Sequence, residues 1–316
     1  MPDRLGPRFA EPMFGKLTII GFGLIGSSIA RAARARNAAG AIVACDHSDE
    51  ARARIGQLNL ADEIHALPEK AVAGADLVIL CTPVGACGAI AEAIGPHLQS
   101  GAIVSDVGSV KGAVVSACAS HIPARAHFIP AHPVAGTEQS GPDAGFATLF
   151  LNRWCIVTPP EGADVDAVEK LAAFWRALGS NVEFMTPAHH DLVLAITSHV
   201  PHLIAYNIVG TADDLEQVTE SEVIKFSAGG FRDFTRIAAS DPTMWRDVFL
   251  NNKDAVLEIL GRFTEDLSAL QRMIRWGDGE GLFKLFTRTR AIRRSIIESG
   301  QESPAPNFGR NAKADE

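Results

Sequence analysis

The stretch Thr18–Arg34, TIIGFGLIGSSIARAAR, narrows the possible folds more than any other part of the chain. A β-branched apolar run leads into Gly21, Gly23 and Gly26 in G-x-G-x-x-G spacing, and an alanine-rich segment of helical character follows at once. Strand, glycine turn and helix in that order suit a dinucleotide. The first glycine permits the tight turn, the second lets a pyrophosphate approach the backbone, and the third lets helix and strand pack closely. Free amides at the helix start then face the phosphates. Asp46 ends the next β-branched run, AIVACD, where a carboxylate accepts hydrogen bonds from ribose hydroxyls and repels a 2′-phosphate. NAD is therefore expected rather than NADP, although Arg52 and Arg54 stand near enough in sequence to accommodate the extra phosphate. Leu24 and Ile25 in the turn, with Thr82 and Pro83 after the run VILC, complete the expected cofactor set. The plainer alternatives are a glycine turn that binds nothing and a helix cap at Asp46.

From Lys16 onward, short apolar runs (KLTIIG, AIVACD, ADLVILCT, GAIVSD, HFIPAH and WCIVTP) alternate with alanine-rich segments. Strands alternating with helices imply a mainly parallel sheet covered on both faces. After MTPAHHD the strands stop and helical periodicity takes over. The fold class is thus α/β, a Rossmann-like doubly wound sheet followed by an all-α dimerisation domain. The expected boundaries are a flexible tail over 1–15, the dinucleotide-binding domain over 16–185, the helical substrate and dimerisation domain over 186–298, and a second tail over 299–316. Between Thr243 and Ile274, Trp245, Phe249, Val256, Leu260, Phe263, Leu267, Leu270 and Ile274 recur at threes and fours, which predicts one long helix begun by the Asp241-Pro242 pair. So long a stripe in a small domain points to helix-mediated dimerisation, with an intrachain bundle as the alternative.

A formal net charge of -8 with no basic block gives nucleic acid or an anionic membrane no electrostatic foothold. Five cysteines without a CxxC pair read as buried reduced thiols of a cytoplasmic protein. No basic leader precedes an apolar run, and no window approaches 18 uninterrupted apolar residues, so neither secretion nor membrane spanning is expected.

The stretch IPAHPVAGTEQSGP, Ile129 to Pro142, sets His132 among prolines and glycines and reads as a rigid loop after a strand of the same sheet as the glycine turn. DVGSVK places Ser109 and Lys111 after the preceding strand. A histidine and a hydroxyl would then face the nicotinamide region from neighbouring strand ends. Histidine suits proton abstraction near neutral pH, and serine can share the same substrate oxygen.

HPVAGTEQSG, with DVGSVK upstream and SHVPH and FRDFTRIAASDPTMW downstream, resembles the prephenate/arogenate (cyclohexadienyl) dehydrogenase family of tyrosine biosynthesis over roughly 16–297. The resemblance implies NAD-dependent oxidative decarboxylation of prephenate to 4-hydroxyphenylpyruvate, of arogenate to tyrosine, or both. Carbon 4 of the ring would give up hydride while the ring carboxylate leaves as carbon dioxide. It implies His132 as the base on the carbon 4 hydroxyl with Ser109 fixing the oxygen. Arg236 would hold the ring carboxylate, with Asp233 tuning it and Trp245 lining the pocket. Ser198, His199 and His202 would lie near the substrate side chain or a domain interface, Thr137 would meet the substrate from the loop that carries His132, and Glu138 would gate the entrance or pair with an arginine across the dimer. Arg232 and Arg236, four apart on an expected helix, would share a face, and an arginine fork matches a carboxylate with two hydrogen bonds. His189 and His190 read equally well as packing residues, and no acidic ligand at a standard interval completes a zinc site with any of these histidines. Two other readings stay open. One is a β-hydroxyacid dehydrogenase using a lysine such as Lys225, and the other is a dinucleotide-binding regulator without turnover.

Overall fold

The computed structural model describes residues 7–137, 139–219 and 229–298. By contact density the chain divides into one compact unit, Met1–Leu257, and a second, Glu258–Glu316.

The first unit is built on six parallel strands, β1 (Phe14–Ile20), β2 (Ala39–Cys45), β3 (Glu63–His65), β4 (Leu77–Leu80), β5 (Ile103–Asp106) and β6 (His127–Phe128), in the order β3-β2-β1-β4-β5-β6. The order reverses between β1 and β4, the crevice where open sheets of this kind take ligands. Alternation along β4 feeds both faces of the sheet. Leu77 and Ile79 pack in one apolar cluster with Phe174 and Trp175, whereas Val78 and Leu80 pack in the other with Ile94 and Val114. Strands buried on both sides read as unbroken apolar runs, which is how LVIL of β4 appears in the sequence, while β5 begins in the same way and ends on the buried Ser105 and Asp106. The connecting helices are α1 (Leu24–Arg36), α2 (Asp49–Gln57), α3 (Pro68–Ala71), α4 (Cys87–Ile94) and α5 (Lys111–Cys118).

A second sheet of three strands, β7 (Ala131–Pro133), β8 (Trp154–Val157) and β9 (Asn181–Phe184), runs antiparallel between β7 and β8 and parallel between β8 and β9. Helix α6 (Val165–Ala177) links β8 to β9. HFIPAH is therefore split between the sheets, His127 and Phe128 forming β6 of the first and Ala131 and His132 opening β7 of the second, and WCIVTP does not extend the first sheet as expected. Pro130 is where the chain changes sheets. Ile129 still donates to Val104 of β5 at 2.9 Å, while the Pro130 carbonyl accepts from Thr158, beyond β8, at 2.9 Å. Proline has no amide to continue a ladder, so a switch at this residue strands no donor.

The amino-terminal segment read as a tail is tied down before Lys16. The Phe9 amide donates to the Arg36 carbonyl at 2.9 Å, the Asn37 side chain returns a bond to Phe9, and β1 already begins at Phe14.

Helices α7 (Pro187–Leu194), α8 (Val200–Thr219), α9 (Gly229–Thr235) and α10 (Pro242–Asn251) follow, and α11 runs over Lys253–Trp276. A single π-type turn, Ala195–His199, joins α7 to α8. The run from Pro187 to Leu215 is long and apolar enough to cross a membrane by length and composition. Its covered side packs on α5, and it buries His190 and His199 in polar bonds. The expected single helix from Thr243 to Ile274 is two helices. Asp241 caps α10 as the sequence suggests, but Asn252 leaves helical geometry between α10 and α11. Its side-chain amide donates to the Asp191 carbonyl at 2.9 Å and lies 3.0 Å from His199 Nδ1. A side chain recruited by the opposing helix has displaced the periodicity.

The second unit holds most of α11 and the helix α12 (Gly279–Glu298). Its large apolar side chains, among them Ile274 at 68% and Phe283 at 72% exposure, stand in solvent within the single chain.

Candidate active site

The glycine turn has the shape its spacing requires. Gly21 adopts φ +94°, and a Cβ there would come within 2.6 Å of the Cys81 carbonyl oxygen. At Gly26 a Cβ would stand 2.1 Å from the Gly21 carbonyl oxygen, so only glycine lets α1 start this close to β1. Gly23 faces open space and caps α1 without a side-chain bond, which leaves the helix amides available to an anion. Leu24 is buried and Ile25 half-buried at the first turn. Thr82 lies against the Gly21 turn, and Pro83 follows it into a short 3₁₀ turn, Val84–Ala86.

Asp46 closes β2 and holds the turn from the other side, accepting from the Phe22 amide at 2.9 Å and from the Ser48 amide at 3.0 Å. A carboxylate has about four acceptor positions, so ribose hydroxyls can still be met. Both nearby arginines are engaged elsewhere. Arg52 bonds Asp49 and the Asp46 carbonyl, and Arg54 bonds Asp143 at 2.9 Å. The open turn, the uncapped helix and the Asp46 carboxylate beside them fit a dinucleotide without a 2′-phosphate.

His132 is not on a loop and not on the six-stranded sheet. It is the central residue of β7, opposite Ile156 of β8, and is buried. Pro130 precedes this three-residue edge strand and Pro133 ends it, positions where a missing amide leaves no gap in the pairing. The strand is fastened to β5 by an ion pair with no exposure on either side chain, Lys111 with Asp106. Lys111 Nζ also donates to the Ala131 carbonyl at 2.7 Å, and Asp106 Oδ2 accepts from the Gly108 amide at 2.8 Å. Paired and hydrogen-bonded on both sides, these charges are tolerated inside the protein.

His132 Nδ1 lies 2.9 Å from His190 Nε2, with the rings edge to face. His190 Nδ1 lies 2.8 Å from Asp191 Oδ1. The two Asp191 oxygens also accept from the Lys111 amide at 2.7 Å and the Gly112 amide at 2.8 Å, at the start of α5. Burial pushes the His132 pKa well below 6.5, and the neighbouring His190, Lys111 and His199 push the same way. Burial likewise lowers His199, to about 4, against the opposing influence of Asp191. These imidazoles are neutral at neutral pH, as a base must be before it reacts.

Trp245 of α10 stacks on His202, ring centres 3.7 Å apart, and meets His199 edge-on. The Ser198 carbonyl anchors His202 Nδ1 at 2.8 Å. Burial also lowers the His202 pKa, and the Arg236 charge lowers it further, which puts Arg236 in the same neighbourhood. Ser109 precedes Val110, whose side chain packs with Trp245 and Val248. The structure thus brings Ser109, His132, His199, His202, Trp245 and Arg236 around one region. Asp233 is exposed on α9, and α9 ends at Thr235, so Arg232 and Arg236 do not share one continuous α-helix; Arg236 opens a 3₁₀ turn instead. Thr137 is exposed, and its hydroxyl accepts from the Gln139 amide at 3.2 Å. Glu138 and Lys225 lie outside the described residues. His189 is exposed, while His190 is fully buried. Sequence reasoning passed over Asp191, Asn252 and the bond between His190 and His132. The AHHD stretch was the available signal, but its pairing partner lies 58 positions away.

The family model described as prephenate dehydrogenase, nucleotide-binding domain, matches residues 29–184, and the one described as prephenate dehydrogenase, dimerization domain, matches 186–288. The chain is 40% identical to a cyclohexadienyl dehydrogenase of Zymomonas mobilis, with 90% of this chain and 97% of that one covered. It is 34% identical to a prephenate dehydrogenase of Bacillus subtilis, covering 92% and 78% respectively. Among solved structures, prephenate dehydrogenase from Aquifex aeolicus in complex with hydroxyphenyl propionate and NAD+ is similar at a TM-score of 0.83 and 33% identity, covering 89% of this chain and 98% of that one. An arogenate dehydrogenase from Synechocystis matches at a TM-score of 0.74 and 27% identity, covering 89% and 99%.

Proposed function

The chain belongs to the prephenate dehydrogenase family, and on that footing we propose how its own residues carry out the reaction. The protein is an NAD-dependent oxidoreductase that oxidatively decarboxylates a cyclohexadiene, prephenate or arogenate, in tyrosine biosynthesis. Carbon 4 of the ring loses hydride, carbon dioxide leaves, and the ring aromatises to 4-hydroxyphenylpyruvate or tyrosine. NAD supplies the hydride acceptor, and Gly21, Gly23, Leu24, Ile25, Gly26, Asp46, Thr82 and Pro83 are the residues to hold it.

Aromatisation drives the loss of carbon dioxide, so the protein has mainly to orient the ring and to take one proton. His132 accepts that proton from the carbon 4 hydroxyl as hydride departs, and Ser109 holds the same oxygen. The observation that carries this reading is the buried His132, kept neutral chiefly by burial and held by His190 at 2.9 Å. Arg236 pairs with the ring carboxylate. His199, His202, Ser198 and Trp245 enclose the substrate, while Asp233, Thr137 and Glu138 belong to its approach. The boundary between the cofactor and substrate parts falls at 185/186. Incubation with NAD and either cyclohexadiene, followed by absorbance of the reduced nicotinamide, tests the reading. We expect turnover in the wild type and a fall in kcat of about 100- to 10,000-fold in His132→Asn with NAD binding intact. Wild-type protein silent with both substrates would remove it.

The working form is a homodimer. The apolar side chains left in solvent on α11 and α12, Ile274 and Phe283 among them, are the surface a second copy would cover, and the matched dimerization domain includes both. The cytoplasm suits the protein: burial raises Cys45 and Cys87 to about 11 and Cys118 to about 12, marking unreactive thiols kept free.

A further inference from the structure

Two groups beside His132, His190 and Asp191, have no part in the proton transfer assigned to it, and a role for them rests on His132 being the base. An ionised carboxylate can only accept hydrogen bonds. Asp191 is ionised: burial opposes this, but the His190 bond and the Lys111 and Gly112 amides prevail and hold its pKa below the usual range. The hydrogen in the 2.8 Å contact must therefore sit on His190 Nδ1. Neutral His190 then carries its lone pair on Nε2, the atom 2.9 Å from His132 Nδ1. That second contact is a hydrogen bond only when His132 Nδ1 bears the hydrogen. The lone pair of neutral His132 falls on Nε2, the nitrogen this chain of bonds leaves available.

We propose that His190 and Asp191 are positioning residues that lock His132 in the tautomer with a basic Nε2 and share the positive charge His132 acquires. When the substrate hydroxyl proton reaches His132 Nε2, the Nδ1 hydrogen stays in its bond to His190, which is oriented by Asp191. The trio passes from a single negative charge to neutral, so the buried site never holds an uncompensated cation. Asp191 is in turn fixed by the two amides at the start of α5 and, through its carbonyl, by Asn252. The arrangement follows the logic by which an acidic residue sets the tautomer of a catalytic histidine in hydrolases, here with a second imidazole interposed.

The test compares His190→Phe, which removes the acceptor, with His190→Gln, whose amide oxygen can accept from His132 while its NH₂ donates to Asp191. We expect His190→Phe to lower kcat by about 100-fold or more while KM and NAD affinity hold, and His190→Gln to recover roughly tenfold of that loss. In protein labelled with ¹⁵N-histidine, His132 is identified by the signal lost in His132→Asn. It should show a protonated Nδ1 and an unprotonated Nε2 in the wild type and in His190→Gln, and a mixture in His190→Phe. A wild-type spectrum with the hydrogen on Nε2 overturns the proposal even if no His190 variant folds. So does a His190→Phe enzyme with full kcat, or one whose loss is equal in kcat and NAD binding with the tautomer unchanged. The His132→Asn variant separates the two levels: normal turnover there removes the parent reading, whereas an inactive His132→Asn beside a fully active His190→Phe removes only the positioning role.

Discussion

The six-stranded sheet and the two carboxy-terminal helices handle apolar surface in opposite ways. Along β4, Leu77, Val78, Ile79 and Leu80 are all at 0% exposure, whereas Leu267 of α11 is at 48% and Trp276 and Phe283 are above 70%. A strand in the middle of a doubly wound sheet is covered by its own helices on both faces. A helix with a long apolar stripe needs a partner for that stripe, and among the described residues these side chains stay exposed. The sheet region buries its apolar strands within one polypeptide, and the helices present the apolar surface that the proposed second copy would cover.

The largest expected effect tests the self-contained region. Lys111→Met leaves the fully buried Asp106 charged without its cation, which should cost roughly 3–5 kcal/mol of stability, read as a drop in Tm. It should also loosen β7 and lower kcat. A variant as stable as wild type would mean the ion pair is not what fastens the two sheets. Next comes the dependent region: Ile274→Asp combined with Phe283→Asp should weaken self-association by about 2–4 kcal/mol, seen by analytical ultracentrifugation, while the NAD-binding half keeps its cofactor affinity. Unchanged assembly would place the contact on another surface. Asp46→Asn comes third. Losing a charged acceptor should weaken NAD binding by roughly 1.5–3 kcal/mol and narrow the gap to NADP, measured by titration calorimetry.

The smallest effect is with pH. His132, His190, His199 and His202 all have pKa values lowered by burial below 6.5. As pH falls through about 6.5 the unfolded chain binds protons that the folded chain refuses, so stability is full above that pH and declines below it. A Tm that stays level from pH 7 down to 5 would show that these rings are not buried as described. The same shifts keep His132 unprotonated, so kcat/KM should hold steady from neutral pH to below 6.5 before an acid limb appears.

Much of this was legible in the sequence wherever the cause was local. Gly21, Gly26 and Asp46 act within one turn and the two strands beside it, and their spacing alone describes the cradle. His132 was recognisable as a residue but not as part of β7, because a three-residue strand has no periodicity and its partner, Trp154–Val157, lies beyond a long connection. Asn252 was hidden by a stripe that predicts unbroken helix on either side; what breaks it is a bond to Asp191 and His199 from another element. Arg232 and Arg236 shared a face only on the assumption that the helix continued past Thr235. Non-local pairing decided each of these positions.

The π-type turn at Ala195–His199 has a rotational meaning for the histidines around it. An unbroken α-helix advances about 100° per residue, so nine steps from His190 to His199 would aim their rings to nearly opposite sides. One inserted residue removes about 100° from that angle. Both imidazoles then reach the Asp191–Asn252 network from a single rod. Excising one residue between 195 and 198 would rewind the helix, keep every side chain of the network, and turn His199 away from it.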